Sequence, residues 1–253
     1  MSQSILVTAG ASGIGRAIAD RFLKAGDRVH VCDINQSLLD GYALEHNQLS
    51  TSLCDVGDPE QVQEMFAYIE KEIGCIDVLV NNAGIGGPSV PLECVGLDDW
   101  QQSLRVNLTG PFLTMKQVIP GMKRQKSGCI INIVTSSANT GLPNRTPYVA
   151  SKCGLRGLTH NAARELGPYN IRVNGVFPGV VDNPRGRALI ANQAKENGIS
   201  EEDAKNEFLS YVSMRTMVDP SDIADMCHFL ASAAARHVTG QEISVDGNVE
   251  WEQ

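Results

Sequence analysis

Along this chain, short apolar runs of strand length alternate with longer stretches whose apolar residues recur at helical spacing. Strands are expected at Ile5–Thr8, Arg28–Cys32, Leu49–Cys54, Val78–Val80, Cys129–Val134, Arg172–Val176 and Glu242–Val245. Helices are expected near Gly13–Ala25, Gln36–His46, Pro59–Ile73, Trp100–Lys123, Pro147–Leu166 and Ser221–Ala231. This alternation implies a parallel sheet covered on both faces, and right-handed crossovers make it a doubly wound α/β sheet of about seven strands. No linker, repeat or low-complexity tract divides residues 1–253, so one domain is expected. Residues 182–218 break the rhythm, opening on Asp182-Asn-Pro-Arg-Gly-Arg187 and continuing as a polar helical stretch. An insertion of that length before the last helix–strand unit suggests a lid over a site; the plainer alternative is a surface excursion packed on itself.

Composition narrows the class. Hydrophobic residues make up 42% and charged residues 20%, as in soluble globular proteins. With 21 basic against 29 acidic residues the net charge is −8, which gives no electrostatic case for a nucleic-acid partner. The apolar runs are too short to span a membrane, and Ser4-Ile-Leu-Val-Thr8 reads as a strand with no basic leader before it. The seven cysteines are scattered and lack a Cys-x-x-Cys pair, so they read as core residues of a reducing, cytoplasmic compartment. The histidines lack ligand spacing, and no metal site is expected.

Two motifs carry chemistry. Gly10, Gly13 and Gly15 follow the first strand and open the first helix, where glycine lets the backbone turn tightly and approach a pyrophosphate at a helix N-terminus. Asp33 ends the second strand, where a carboxylate can accept both ribose hydroxyls of NAD and would repel the 2′-phosphate of NADP. Neither Ser12 nor the neighbouring Ile34 supplies a compensating positive charge; alternatively, Asp33 only caps the next helix. Far downstream, Tyr148 and Lys152 stand four residues apart, on one face of a helix. An ammonium beside a phenol favours the phenolate, and a tyrosine so tuned can take a proton from an alcohol or return it to a carbonyl.

Taken in order, these motifs resemble the short-chain dehydrogenase/reductase family in its single-domain form, from residue 4 to about 249. The glycine-rich turn appears as Thr8-Ala-Gly-Ala-Ser12-Gly-Ile14-Gly15, and Asn81-Asn82-Ala83-Gly84 follows the fourth strand. Asp55-Val56 resembles the pair that brackets the adenine, and Pro178-Gly179 the segment after the sixth strand, with Val181 and Asn183 beyond it. The resemblance implies a Rossmann-type fold, NAD as cofactor, Tyr148 as acid/base and Lys152 lowering its pKa while holding the nicotinamide ribose. It assigns Asn107 to a water that links Lys152 to solvent, and a hydroxyl to orientation of the substrate oxygen. Thirteen residues before Tyr148 lies Thr135, with Ser136 one step away and Ser137 further, and that choice stays open. The resemblance also implies a homotetramer built through helices around residues 100–123 and 147–166.

Three positions depart from the pattern. Ala9 replaces the first glycine, where its methyl crowds the turn unless Gly10 takes the strain. Asn183 stands where a threonine is usual near the nicotinamide amide, and Thr135 stands near the usual serine. Arg145, Arg185 and Arg187 lie close to the expected site and suggest an anionic or strongly polar hydroxy substrate, such as a hydroxy acid, sugar acid, polyol or sulfonate. They could instead pair with acids such as Glu201 and Glu202. The leading reading is an NAD-dependent alcohol dehydrogenase or carbonyl reductase. A 3-ketoacyl reductase of lipid metabolism shares the motifs but usually draws on NADPH, and a nucleotide-binding protein without chemistry is the alternative outside enzymes.

Overall fold

The computed structural model describes residues 2–46 and 48–250. Seven parallel strands form one sheet: β1 Ser4–Thr8, β2 Arg28–Asp33, β3 Leu49–Leu53, β4 Val78–Asn81, β5 Gly128–Ile133, β6 Ile171–Pro178 and β7 Glu242–Val245. Their spatial order is β3-β2-β1-β4-β5-β6-β7, so the chain winds outward from β1 to one edge, returns to β4, and winds to the other. β1 and β4 are neighbours in register, Ile5 beside Val78 and Val7 beside Val80, and the crevice at their C-terminal ends is where such sheets bind ligands.

Side chains leave each strand alternately to the two faces. Ile5 and Val7 enter a core with Ile18 and Phe22 of α1 (Gly13–Lys24), Leu39 and Tyr42 of α2 (Gln36–Ala43), and an apolar helix near the C-terminus. Leu6, Leu79 and Ile130 point the other way, against Val62 and Met65 of α3 (Pro59–Glu72) and against two long helices that follow β4 and β5. This is the two-faced burial that the apolar runs predict.

The expected helix Trp100–Lys123 is in fact two helices, α4 Leu97–Leu104 and α5 Gly110–Gln125, joined by a π-turn at Arg105–Thr109. The N–H of Gly110 bonds the carbonyl of Arg105, one residue beyond ordinary helical spacing. Pro111 explains the break, because proline has no N–H to give the carbonyl of Asn107 four residues back. After β5 come a single helical turn, α6 Ser137–Thr140, and the long α7 Thr146–Leu166. The irregular stretch at 182–218 folds as a helix pair, α8 Pro184–Asn197 and α9 Glu201–Ser210, whose own small core is Ile190, Ala194 and Ala204. Then α10 Pro220–Ala231 returns to the sheet beside α1. No helix among the described residues is long and apolar enough to cross a membrane.

Candidate active site

A cleft of about 670 Å³ opens at the C-terminal ends of the central strands. The glycine-rich turn contributes Ala9, Ser12, Gly13 and Ile14 to its wall, the segment after β4 contributes Asn82, Gly84 and Gly86, and the end of β5 contributes Thr135, Ser136 and Ser137. Tyr148 and Lys152 line it from α7, Pro178 from the end of β6, Gly179, Val181 and Asn183 from the chain after it, and Arg145 and Arg185 from the starts of α7 and α8.

Close backbone contact builds the turn. A Cβ on Gly15 would stand 2.2 Å from the carbonyl oxygen of Ala9 and 2.5 Å from Asn82 Nδ2, so no side chain fits there. Asn82 ties the turn down by donating from Nδ2 to the carbonyls of Thr8 and Ala9, while Thr8 Oγ1 accepts from the N–H groups of Asn82 and Ala83. Gly13 has φ +55°, the left-handed region glycine tolerates. The strain expected of Gly10 falls instead on Ala9, at φ +49°, while Gly10 keeps an ordinary φ and has no room for a side chain beside Val31. Ser12 makes no side-chain capping bond to α1, and the first turn of α1 carries no acid, so its N–H groups suit an anion.

Asp33 is nearly buried at the end of β2. Its carboxylate accepts from the N–H of Ala11 at 3.3 Å and of Asn35 at 3.1 Å, which joins it to the glycine turn. It does not cap α2; that role belongs to the Asn35 side chain, which accepts from Leu38 N. Ile34 beside it is exposed, and the nearby Arg16 is committed to Asp20 and Glu45. Asp55 pairs with Arg105, and Val56 is buried against Gly110. Gly10, Gly15, Asp33, Ile34, Asp55, Val56 and Ala83 are not among the residues that line the cleft.

Tyr148 and Lys152 sit on the first turns of α7, with Pro147 ahead of them where a missing N–H costs nothing. Lys152 is buried, and its Nζ donates to the Ile133 carbonyl at 2.7 Å. Burial, with a smaller contribution from the Arg185 charge, pushes its pKa down to about 7. Gly84 lets this ammonium come close: a Cβ there would lie 3.4 Å from Nζ and 3.3 Å from Asn107 Oδ1.

The Asn107 side chain sits in the π-turn, and both ends of its amide are bonded. Its Oδ1 accepts from Ile85 N at 2.8 Å, and its Nδ2 donates to Ile85 O and to Ser151 Oγ, each at 2.9 Å. Ser151 in turn donates to the Tyr148 carbonyl at 2.7 Å, so Asn107 holds the loop after β4 against the start of α7. Ser151 is a link that motif spacing does not reveal.

Among the departures, Thr135 is buried and its Oγ1 accepts from Ser137 N, leaving its own proton to donate. Asn183 caps α8 by accepting from Gly186 N at 2.8 Å. Arg187 is not brought to the cleft: it lies outside the wall, exposed and paired with Asp182 at 2.7 Å. Apolar wall residues Leu142, Leu189, Phe208, Val212 and Val249 also escaped the motif reading, since the positions between α6 and α7, on α8 and α9, just beyond α9 and after β7 follow no fixed pattern.

A family model described as enoyl-(acyl carrier protein) reductase matches residues 8–249. A 3-oxoacyl-acyl-carrier-protein reductase of Thermotoga maritima is 35% identical over 248 residues, 96% of each chain. The chain belongs to the short-chain dehydrogenase/reductase family. Another relative of the family, a Bacillus subtilis protein described as an uncharacterized oxidoreductase, is 35% identical over 97% of each chain. Among solved members, NAD+-bound xylitol dehydrogenase superposes with a TM-score of 0.91 at 29% identity, covering 97% of this chain and 98% of that one. A variant of actinorhodin polyketide ketoreductase with NADPH gives 0.93 at 33% identity, covering 97% and 96%. Membership makes this chain a dehydrogenase/reductase enzyme with the Rossmann-type sheet expected from its pattern.

Proposed function

We propose that the enzyme interconverts a secondary alcohol and a ketone with NAD(H), using Tyr148 as the acid/base. The observation that carries this reading is the shared cleft: Tyr148 and the buried ammonium of Lys152 face a glycine turn in which Gly15 has no room for a side chain. When bound, the nicotinamide cofactor supplies or accepts the hydride. The residues manage the proton. Tyr148 Oη takes it from the alcohol or returns it to the carbonyl oxygen, and Thr135 Oγ1 orients that oxygen by donating to it. Lys152 Nζ, anchored by the Ile133 carbonyl, keeps positive charge near the phenol, and its pKa of about 7 suits it to exchange protons near neutrality. Because both Asn107 amide N–H groups are committed to Ile85 and Ser151, a role in steadying water would fall to an acceptor, the main-chain carbonyl, which Pro111 cannot bond.

Asp33 supports NAD over NADP, since a carboxylate fixed by two N–H groups, and without a salt-bridge partner among the described residues, repels a 2′-phosphate. For the substrate, the names of the curated relatives support reduction of a 3-oxoacyl thioester better than the small polar alcohols first expected, and Leu189, Phe208 and Val249 offer an apolar wall to an acyl chain. The second reading, a small anionic substrate, is favoured by Arg145 and Arg185 near Tyr148. A homo-oligomer is part of the same proposal. The test is steady-state kinetics with acetoacetyl thioester and with 3-hydroxy acids, each with both cofactors. Thioester reduction by NADH supports the first reading, and a tenfold or greater preference for NADPH removes the Asp33 argument.

A further inference from the structure

Most arginines around the site are neutralised by acids: Arg16 by Asp20 and Glu45, Arg105 by Asp55, Arg156 by Glu242 and Arg187 by Asp182. Arg145 and Arg185 differ. Among the described residues neither forms an ion pair with a carboxylate, although the chain carries a net charge of −8. Both guanidiniums lie over the loop after β4 and use one nitrogen each on neutral carbonyls. Arg145 Nη1 donates to Gly87 O at 3.0 Å and Gly86 O at 3.3 Å, and Arg185 Nη1 donates to Gly84 O at 3.2 Å. They meet above Gly86, where a Cβ would stand 3.0 Å from Arg185 Nη2 and 3.2 Å from Arg145 Nη1.

Two like charges held together with no carboxylate at ion-pair distance are unfavourable, and this shows at Arg145: burial, then the Arg185 charge, lowers its pKa from the ordinary value, against smaller opposing contributions from Tyr148 and from Glu196, which lies beyond ion-pair distance. The arrangement is nonetheless built firmly. Arg145 is the residue that precedes the first turn of α7, three residues before Tyr148. Arg185 stands on the turn pinned by the Asn183 cap, where Gly186 is packed so tightly that a Cβ would lie 2.1 Å from Val181 O. The Arg185 guanidinium carbon is 5.7 Å from the centre of the Tyr148 ring.

We propose that Arg145 and Arg185 form a two-arginine anion clamp beside the acid/base tyrosine, selecting substrates with a carboxylate or sulfonate a few bonds from the reacting carbon. The clamp rests on the second substrate reading above. An anion there offsets both charges at once and takes the fork of N–H groups left over from the loop carbonyls. Closeness to Tyr148 restricts the charge to the near end of the substrate, so an anion at the far end of a long acyl carrier would not engage it.

The test compares acetoacetate with its uncharged methyl ester, two 3-oxo compounds that differ at the clamped group. Binding to the enzyme–NADH complex is measured by calorimetry in wild type, Arg145→Gln and Arg185→Gln, and turnover of both probes is followed separately. The expected result is tighter binding of acetoacetate by wild type, with each substitution erasing about 10- to 100-fold of that preference, the loss of one charge-assisted hydrogen bond. Ester binding should stay unchanged, which a merely structural role for these arginines would not predict. Equal or tighter binding of the ester by wild type, no binding of either probe, or an undiminished preference in both variants overturns the clamp. Ester reduction that is lost in Tyr148→Phe would leave the oxidoreductase reading standing even then.

Discussion

Replacing Lys152 by methionine should make the protein more stable while abolishing turnover. Burial brings the Lys152 pKa from 10.5 to about 7. At about 1.36 kcal/mol per pH unit, that fall corresponds to roughly 5 kcal/mol of disfavoured charge, most of it felt at pH 7. Against this gain, methionine loses the bond to the Ile133 carbonyl and leaves that buried oxygen unpaired, at about 1–3 kcal/mol. The net expectation is a stabilisation of about 2–4 kcal/mol at pH 7. Urea unfolding at pH 7 and pH 9.5 reads it. Between about 7 and 10.5 the unfolded chain holds the lysine proton and the folded chain does not, so wild-type stability rises with pH through that window. The methionine variant lacks this rise, and the gap between the two closes as pH increases. A variant less stable than wild type at pH 7, or a gap independent of pH, would refute the claim that a desolvated ammonium is stored in the site.

The neutral His30 ring is buried between Ser50 Oγ at 2.8 Å and Ser52 Oγ at 3.0 Å, and burial lowers its pKa from 6.5 to about 4. Stability should therefore be full above pH 6.5 and fall by up to about 3 kcal/mol as pH drops toward 4, which urea midpoints across that range will read; a flat profile contradicts it. Ala9→Gly relieves a left-handed alanine worth about 1–2 kcal/mol, offset by about 0.5–1 kcal/mol of added chain entropy, so a Tm a few degrees higher is expected and a lower Tm argues against strain there. Gly15→Ala puts a methyl into the Ala9 carbonyl and should weaken NAD binding at least 100-fold; a normal dissociation constant would place the cofactor elsewhere.

The sheet was legible because its central strands are buried on both faces and rich in apolar residues, whereas the edge strands β3, with half-exposed Ser50 and Ser52, and β7 are only partly buried and give a weaker signal. The π-turn was missed although Pro111 signals it, since the surrounding residues keep a helical period across the break. Motif spacing located the turn, Tyr148 and Lys152, because those positions answer to backbone geometry. It failed where partners decide: Arg187 and Arg185 are equivalent in sequence, and only the fold turns one to Asp182 and the other to the cleft. The strain at Ala9 and the Ser151 link depend on contacts with distant strands and helices, which local pattern does not encode.

The most direct test of the central claim is the appearance or loss of reduced nicotinamide absorbance with wild type and Tyr148→Phe, across secondary alcohols, hydroxy acids, hydroxy sulfonates and acyl thioesters. The account predicts NAD-linked turnover in wild type that falls by at least 100-fold in Tyr148→Phe. Wild-type turnover that survives the substitution would contradict it.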